Sequence, residues 1–328
     1  MGRYLVTGGA GYVGSHTVLA LLNAGHEVVV FDNLRQGHAQ ALATGVRLVV
    51  GDLADAAAVD SLLADGKWDG VLHFAALSLV GESMHEPFRY LLENGINGIR
   101  LIEACVRHGV PRFVLSSTAN LFGTPDQIPI PEDAGIDPGS PYGESKRMLE
   151  RALHWADRIH GLRSACLRYF NAAGADAEGR LGEDHDPETH LVPLVIDAAL
   201  GRRPPLQVFG NDYPTQDGTC IRDYVHVSDL AQAHLLALGC LSDRSVCFNL
   251  GNGQGHSVME VIAAVEKISG RRVPHTIAPR RAGDPAVLVA SSVRIRAQAG
   301  WAPRFPDLHD IVRTAYDWRL AHPDGYTG

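Results

Sequence analysis

The strongest constraint in this chain is a glycine-spaced turn between two apolar runs. Tyr4-Leu5-Val6-Thr7 reads as a buried strand. Gly8, Gly11 and Gly14 follow at GxxGxxG spacing, and an apolar helix runs from about Ser15 to Asn23. Gly25 closes that helix, and Glu27 to Phe31 reads as a second strand. The order is a βαβ unit. Glycines permit the tight turn and the close approach of a pyrophosphate, and the helix start offers free N–H groups. Asp32, at the end of the second strand, makes a common motif specific. Its carboxylate can accept hydrogen bonds from the adenosine ribose hydroxyls and would repel a 2′-phosphate, which favours NAD over NADP.

Further strands are predicted over Arg47 to Val50, Gly70 to Phe74, Arg112 to Leu115 and Arg163 to Tyr169. Helical segments lie between them, including Pro87 to His108 and Tyr142 to about His160. The alternation implies an α/β fold: a Rossmann-type, doubly wound parallel sheet covered on both faces. Asp52 follows the third strand, where it can bond the adenine amine while Leu53 packs on the ring; the plainer role for Asp52 is a helix N-cap. Phe74-Ala75-Ala76 ends a later strand at the expected cofactor cleft, where small side chains allow close packing. From Asn171 onward the chain is richer in Gly, Pro and Asp, with long loops at 176–190 and 211–219. Arg222 to Val227 and Asp229 to Leu238 read as a strand and a helix. The expected division is an NAD-binding domain over 1–170, rejoined by 219–250. A smaller mixed α/β nucleotide-sugar-binding lobe would comprise 171–218 and 251–328.

The chemical signal is Tyr142-Gly143-Glu144-Ser145-Lys146. Tyrosine and lysine four apart share one face of a helix. A nearby ammonium, together with a positive nicotinamide, favours the phenolate, which can take a proton from a sugar hydroxyl. Lys146 can also hold the nicotinamide ribose. Thr118, just beyond Phe113-Val114-Leu115-Ser116-Ser117, can orient the substrate oxygen; the plainer role is a strand-end cap.

The chain resembles the extended short-chain dehydrogenase/reductase family and, within it, the UDP-glucose (UDP-galactose) 4-epimerases. The resemblance spans nearly the whole chain. It rests on Thr7 to His16, Asp32-Asn33-Leu34, His73-Phe74-Ala75-Ala76, Ser116-Ser117-Thr118, Tyr142 with Lys146, and Leu167-Arg168-Tyr169-Phe170-Asn171. It continues through Phe209 to Tyr213, Arg222 to Val227 and Arg280-Arg281-Ala282-Gly283-Asp284-Pro285. The resemblance implies that Tyr142 is the base and that Lys146 tunes it. It implies that Tyr12, Val13, Asn33, Ser78, Asn94, Ser116 and Tyr169 join the cofactor-binding set, and that Asn171, Arg222 and Arg281 hold the sugar-linked phosphates. It further implies that Asp284 binds a uridine ribose hydroxyl, and that Leu288 stands at the wall that sizes the hexose pocket. Fixed guanidinium contacts suit phosphate; surface ion pairing and turn formation are the plainer roles for these arginines and for Asp284. A homodimer is also implied, through the 88–105 and 145–156 helices.

Several positions depart from the family pattern. Phe122 replaces a usual tyrosine, Gly95 follows Asn94 where an Asn-Asn pair is familiar, and Ser78 replaces a cofactor-contacting lysine. His190 stands for an asparagine and Ser291 for an aspartate. The expected reaction is reversible 4-epimerisation of UDP-glucose and UDP-galactose through a 4-keto intermediate. A UDP-glucuronate 4-epimerase shares that chemistry and stays open. A 4,6-dehydratase is disfavoured because Ala119, not an acid, follows Thr118. An NAD-sensing protein without turnover is the non-enzymatic alternative.

Composition excludes other classes. The 328 residues carry 29 basic and 37 acidic side chains, a formal charge of -8, with no broad basic surface for nucleic acid. No apolar run is long enough to span a bilayer, and the start shows no secretory signal. Five cysteines without CxxC or metal-like spacing read as reduced thiols of a cytoplasmic protein, and no metal site is expected.

Overall fold

The computed structural model describes residues 1–281 and 284–326. Strand β1 (Arg3–Thr7) alternates between two cores, with Tyr4 and Val6 in one and Leu5 in the other. Beside it lie β2 (Glu27–Asp32), β3 (Arg47–Val50), β4 (Gly70–His73), β5 (Arg112–Thr118) and β6 (Arg163–Tyr169). The chain then forms the short strands β7 (Asn171–Ala173), β8 (Leu206–Phe209), β9 (Ile221–Arg222) and β10 (Tyr224–His226). It returns to the large sheet with β11 (Val246–Leu250) and finishes with β12 (His256–Ser257), β13 (His275–Ala278) and β14 (Val287–Leu288). The large sheet is seven-stranded in the order β3-β2-β1-β4-β5-β6-β11, with parallel pairing throughout. Strand order reverses between β1 and β4, so a cleft opens above their C-terminal ends.

Helices cover both faces. They are α1 (Tyr12–Asn23), α2 (Ala56–Ala64), the one-turn α3 (Val80–Ser83) and α4 (Pro87–Tyr90), α5 (Asn97–Arg107) and α6 (Pro141–His160). After these come α7 (Leu191–Ala199), α8 (Val227–Gly239), α9 (Val258–Ser269), α10 (Val293–Ala299) and α11 (Leu308–Ala321). One core joins Val18 and Leu21 of α1 to Leu230, Ala233 and Ala237 of α8. The opposite core joins Leu62 and Leu63 of α2, Leu101 and Ile102 of α5, and Leu149 and Leu153 of α6. A third core, of α7, α9 and α11, fills the smaller lobe. Its short strands pair as β10 with β7, as β12-β9-β14, and as β13 with β8.

Three local expectations need correction. The 87–108 segment is not one helix: α4 and α5 are separated by a π-helical turn over Leu91–Ile96. The physical reason is Asn94, whose amide accepts from the Leu77 N–H at 2.8 Å and donates to the Leu77 carbonyl at 2.9 Å. Widening the turn aims this side chain at the 77 backbone. The expected strand over Arg222–Val227 is likewise divided: Asp223 separates β9 from β10, and Val227 already belongs to α8. Asp223 is where the chain changes partners: its N–H donates to the Leu288 carbonyl of β14 and its carbonyl accepts from the Asn171 N–H of β7, while its carboxylate accepts from the N–H groups of Asn252, Gly253 and Ala290. Strand β5 also runs past the predicted Leu115 to Thr118. The segment Arg280 to Pro285 is described apart from Ala282 and Gly283, which lie outside the described residues.

Candidate active site

The turn after β1 and the end of β4 meet at the strand-order reversal. Gly8 sits at φ +72, and a Cβ there would lie 2.3 Å from the Ala75 nitrogen. A Cβ on Gly14 would lie 2.1 Å from the Gly8 carbonyl oxygen. Only glycine fits either position. Helix α1 begins at Gly11 without a side-chain cap, and its first turn holds no acidic residue. The Tyr12, Val13 and Gly14 N–H groups therefore form an uncapped, positively polarised helix start, suited to a pyrophosphate. Asp32 is 7% exposed; its two oxygens accept from the Ala10 and Leu34 N–H groups, each at 2.9 Å. The same carboxylate braces the glycine turn and keeps lone pairs for a ribose diol. Burial raises its pKa, and the two backbone donors oppose that rise. These features fit a dinucleotide without a 2′-phosphate.

Asn33 donates to Asp52 at 2.8 Å, next to the Asp32 carboxylate. Asp52 also accepts from the Ala54 N–H, whereas the N-cap of α2 is Asp55, which accepts from the Ala57 and Ala58 N–H groups. The N-cap alternative for Asp52 thus belongs to Asp55. Leu53 packs against the core containing Leu62 and Leu63. Phe74 stacks at a tilt on His234, with ring centroids 4.8 Å apart, while Ala76 and Ser78 are exposed. The phenol of Tyr12 donates to the Gly174 carbonyl at 2.6 Å, tying the glycine turn to the smaller lobe. Gly95 faces Met148, whose Sδ would lie 3.1 Å from an added Cβ, so the methionine fills the space beside that glycine.

Across the cleft, α6 carries Tyr142 and Lys146. Ser140 caps the helix by accepting from the Gly143 N–H at 3.1 Å, with Pro141 in the first turn. Tyr142 and Lys146 then fall on one face. Lys146 is 1% exposed and donates to the Ser116 carbonyl at 2.8 Å. Burial lowers its pKa to about 8. The Tyr142 phenol is raised by burial, and a hydrogen bond with Thr118 works against that rise. Lys146 therefore spends its contact on the strand end, and the hydroxyl that favours the Tyr142 phenolate is that of Thr118. Thr118 also fulfils its plainer role, accepting from the Asn120 N–H at 3.1 Å as the cap of a short 3₁₀ turn. Ser116 Oγ and the Tyr169 hydroxyl are 2.5 Å apart, and burial holds that phenol well above its ordinary value.

A second group supports this face. Arg168 of β6 donates to both Glu150 oxygens, at 3.0 and 2.6 Å, and Ser117 donates to Glu150 at 2.7 Å. Glu150 lies one helical turn beyond Lys146, so the buried pair fixes α6 against β5 and β6. Sequence reasoning noted Arg168 within a motif but missed Glu150; a lone glutamate on a long helix reads as surface. Phe122, in place of tyrosine, is 2% exposed with the Arg168 guanidinium 5.4 Å from its ring centre, so this position is core.

Of the predicted phosphate, ribose and sugar residues, Arg222, Asp284 and Leu288 meet at the β9–β14 edge. Arg222 and Leu288 are register partners, and Asn171 begins β7. Arg222 donates to the Ile221 and Pro285 carbonyls and lies 3.5 Å from Asp284. The Arg281 guanidinium stacks 4.0 Å over Phe209. Stacking and pairing hold these cations in fixed poses. Sequence reasoning noted His190 only as standing for an asparagine and passed over Glu183, His185 and Glu188; the donor atoms of all four lie within 4.8 Å of one another in the loop before α7. The signal was readable as a run of E-x-H-x-x-E-x-H; attention to cysteine spacing missed it.

Residues 4–251 match the family described as the NAD dependent epimerase/dehydratase family. A UDP-glucose 4-epimerase from Halalkalibacterium halodurans is 50% identical over 325 residues, 98% of this chain and 97% of that protein. The UDP-glucose 4-epimerase of Lacticaseibacillus casei is 48% identical, with 98% of each covered. Among solved structures, the Brucella ovis UDP-glucose 4-epimerase in complex with NAD superposes with a TM-score of 0.93 at 41% identity. That match covers 97% of this chain and 98% of the other. With its glycine turn, Asp32 and the Tyr142–Lys146 face, the chain belongs to the NAD dependent epimerase/dehydratase family, in its UDP-glucose 4-epimerase branch.

Proposed function

We propose that this protein interconverts UDP-glucose and UDP-galactose by reversible, NAD-dependent 4-epimerisation through a 4-keto intermediate. The observation that carries the reading is the meeting of two devices at one cleft: the uncapped glycine turn above β1, and Tyr142 with Thr118 above β5. NAD, when bound, supplies the hydride acceptor and the positive charge of its nicotinamide. Tyr142 is the group that takes the proton from the C4 hydroxyl and later returns it. Thr118 orients that oxygen, and Lys146, held on the Ser116 carbonyl, reaches the nicotinamide ribose. Gly8, Gly11, Tyr12, Val13 and Gly14 hold the pyrophosphate; Asp32, Asn33, Asp52 and Leu53 hold the adenosine. Phe74, Ala75, Ala76, Ser78, Asn94, Ser116 and Tyr169 line the remainder of that cleft.

Asn171, Arg222 and Arg281 bind the sugar-linked diphosphate, Asp284 the uridine ribose, and Leu288 borders the hexose. The cofactor-binding part comprises 1–170 with 219–250, and the sugar-nucleotide part 171–218 with 251–328. The protein works as a cytoplasmic homodimer. Phe88 of α4, Leu92 of the π-helical turn, and Trp155 and Ile159 of α6 are all exposed and support a helical interface. Among the described residues, no helix is long and apolar enough to cross a membrane.

The test is incubation of the purified protein with UDP-galactose and no added reductant. UDP-glucose formation supports epimerisation. NAD binding without turnover of any sugar nucleotide would establish the sensor instead.

A further inference from the structure

We propose that Glu183, His185, Glu188 and His190 form a closed site for one divalent cation of the zinc type, in the loop between β7 and α7. The donor set is two imidazole nitrogens and two carboxylate oxygens, all within 4.8 Å of one another. His185 Nδ1 lies 3.5 Å from Glu183 Oε1 and 3.6 Å from Glu188 Oε2. The edge of a tetrahedron with metal–ligand bonds of about 2.0–2.2 Å is roughly 3.3–3.6 Å, so these separations suit four-coordinate zinc. His190 Nδ1 is hydrogen-bonded directly to Glu183 Oε1, closer than a tetrahedral edge, so this contact would open as a cation entered between the two.

Glu188 supplies an independent sign of a missing ligand. Its side chain is 9% exposed, and Oε1 accepts from the Thr189 and His190 N–H groups at 2.8 and 2.9 Å. Those two donors orient the carboxylate in the manner of a shell outside the metal. Its other oxygen, Oε2, is buried without a hydrogen-bond partner and faces the cluster. The nearest cationic group, His185 Nδ1, stands 3.6 Å away, beyond hydrogen-bond reach; a cation bound between them would meet this oxygen. Two imidazoles favour zinc over calcium or magnesium, which take oxygen ligands in larger number. The position gives the site a structural use. Gln36 donates to the Asp186 carbonyl at 2.8 Å, and the His185 ring meets Tyr12 of the glycine turn edge-on at 6.1 Å. A cation here would brace the smaller lobe's loop against the cofactor turn.

The full-length protein, loaded with NAD and treated with a strong chelator, is titrated with Zn²⁺ against a chromophoric indicator, and separately with Co²⁺. The expected result is one zinc per chain, with affinity at least 100-fold weaker in both His185→Gln and Glu188→Gln. Ca²⁺ should not compete. Cobalt should give the intense visible bands of a tetrahedral nitrogen–oxygen site without a thiolate charge-transfer band. Failure to bind stoichiometric zinc overturns the proposal, as does unchanged affinity in the two variants. A six-coordinate or thiolate cobalt spectrum overturns it even if the variants do not fold.

Discussion

At Tyr142, burial works against the phenolate and Thr118 works for it. In the proposed role of Tyr142 as base, a positive nicotinamide held beside it would add to the effect of Thr118 and favour the phenolate further. Tyr142→Phe keeps the ring and removes the oxygen. Turnover should fall roughly 100-fold or more with NAD and UDP binding retained; near-normal turnover in cofactor-loaded protein would remove Tyr142 from its role. Leu288 gives a second prediction at this scale. It pairs with Arg222 in the β14–β9 ladder, so the wall of the proposed hexose pocket and the proposed phosphate cation are neighbours. Leucine leaves more space than tyrosine, and measurable activity on UDP-N-acetylglucosamine or UDP-N-acetylgalactosamine is expected. Leu288→Tyr should reduce that activity far more than turnover of UDP-galactose. Equal losses on both substrates, or no acetylated turnover in the wild type, would end the roomy-pocket reading.

At the scale of elements, the site depends on how α6 is seated. The Glu150–Arg168 pair has side chains only 11% and 6% exposed. Removing one member strands the other as a buried charge, at about 3–5 kcal/mol. Glu150→Ala should lower stability by that amount in a denaturant titration, whereas a loss below about 1 kcal/mol would show the anchor to be incidental. Much of the cofactor half was legible beforehand. Strand–glycine–helix order and a terminal aspartate are local patterns, and the observed β1–α1–β2 unit follows them closely. The π turn at Asn94 was not legible, because its cause is a bond to Leu77 seventeen residues away. The capping role offered as the plainer alternative for Asp52 belongs to Asp55, three residues on; both precede the helix, and only geometry separates them. Tyr142 and Lys146 could be named from spacing, but the contacts of Lys146 with Ser116 and of Tyr142 with Thr118 depend on the packing of α6 on β5.

The whole molecule buries several neutral histidines. Burial holds His73 and His226 down to about 3 and His234 to about 4. An unfolded histidine titrates near 6.5, so below that pH the unfolded chain binds protons that the native chain excludes. Stability should fall as pH drops from about 6.5 toward 4, by up to ~1.4 kcal/mol per pH unit for each ring. Asp223 acts in the opposite direction. Burial raises it to about 6, so its native carboxyl protonates first and offsets part of the loss. Burial holds His16 down to about 4 as well, whereas His185, raised to about 10 by Glu183 and Glu188 against its burial, gains stability as pH falls to about 6.5 and is neutral in the balance below it. Below pH 6.5 the four depressed rings outnumber Asp223, and calorimetry should find Tm at pH 5 several degrees below that at pH 6.5; an unchanged Tm would contradict this balance. In the proposed reaction, hydride leaves C4 and returns to it without exchange. The most direct test is nuclear magnetic resonance of UDP-galactose conversion by the NAD-loaded protein in deuterium oxide with no added reductant. The account predicts UDP-glucose with ordinary hydrogen at C4; extensive carbon-bound deuterium in the product, or no conversion at all, would contradict it.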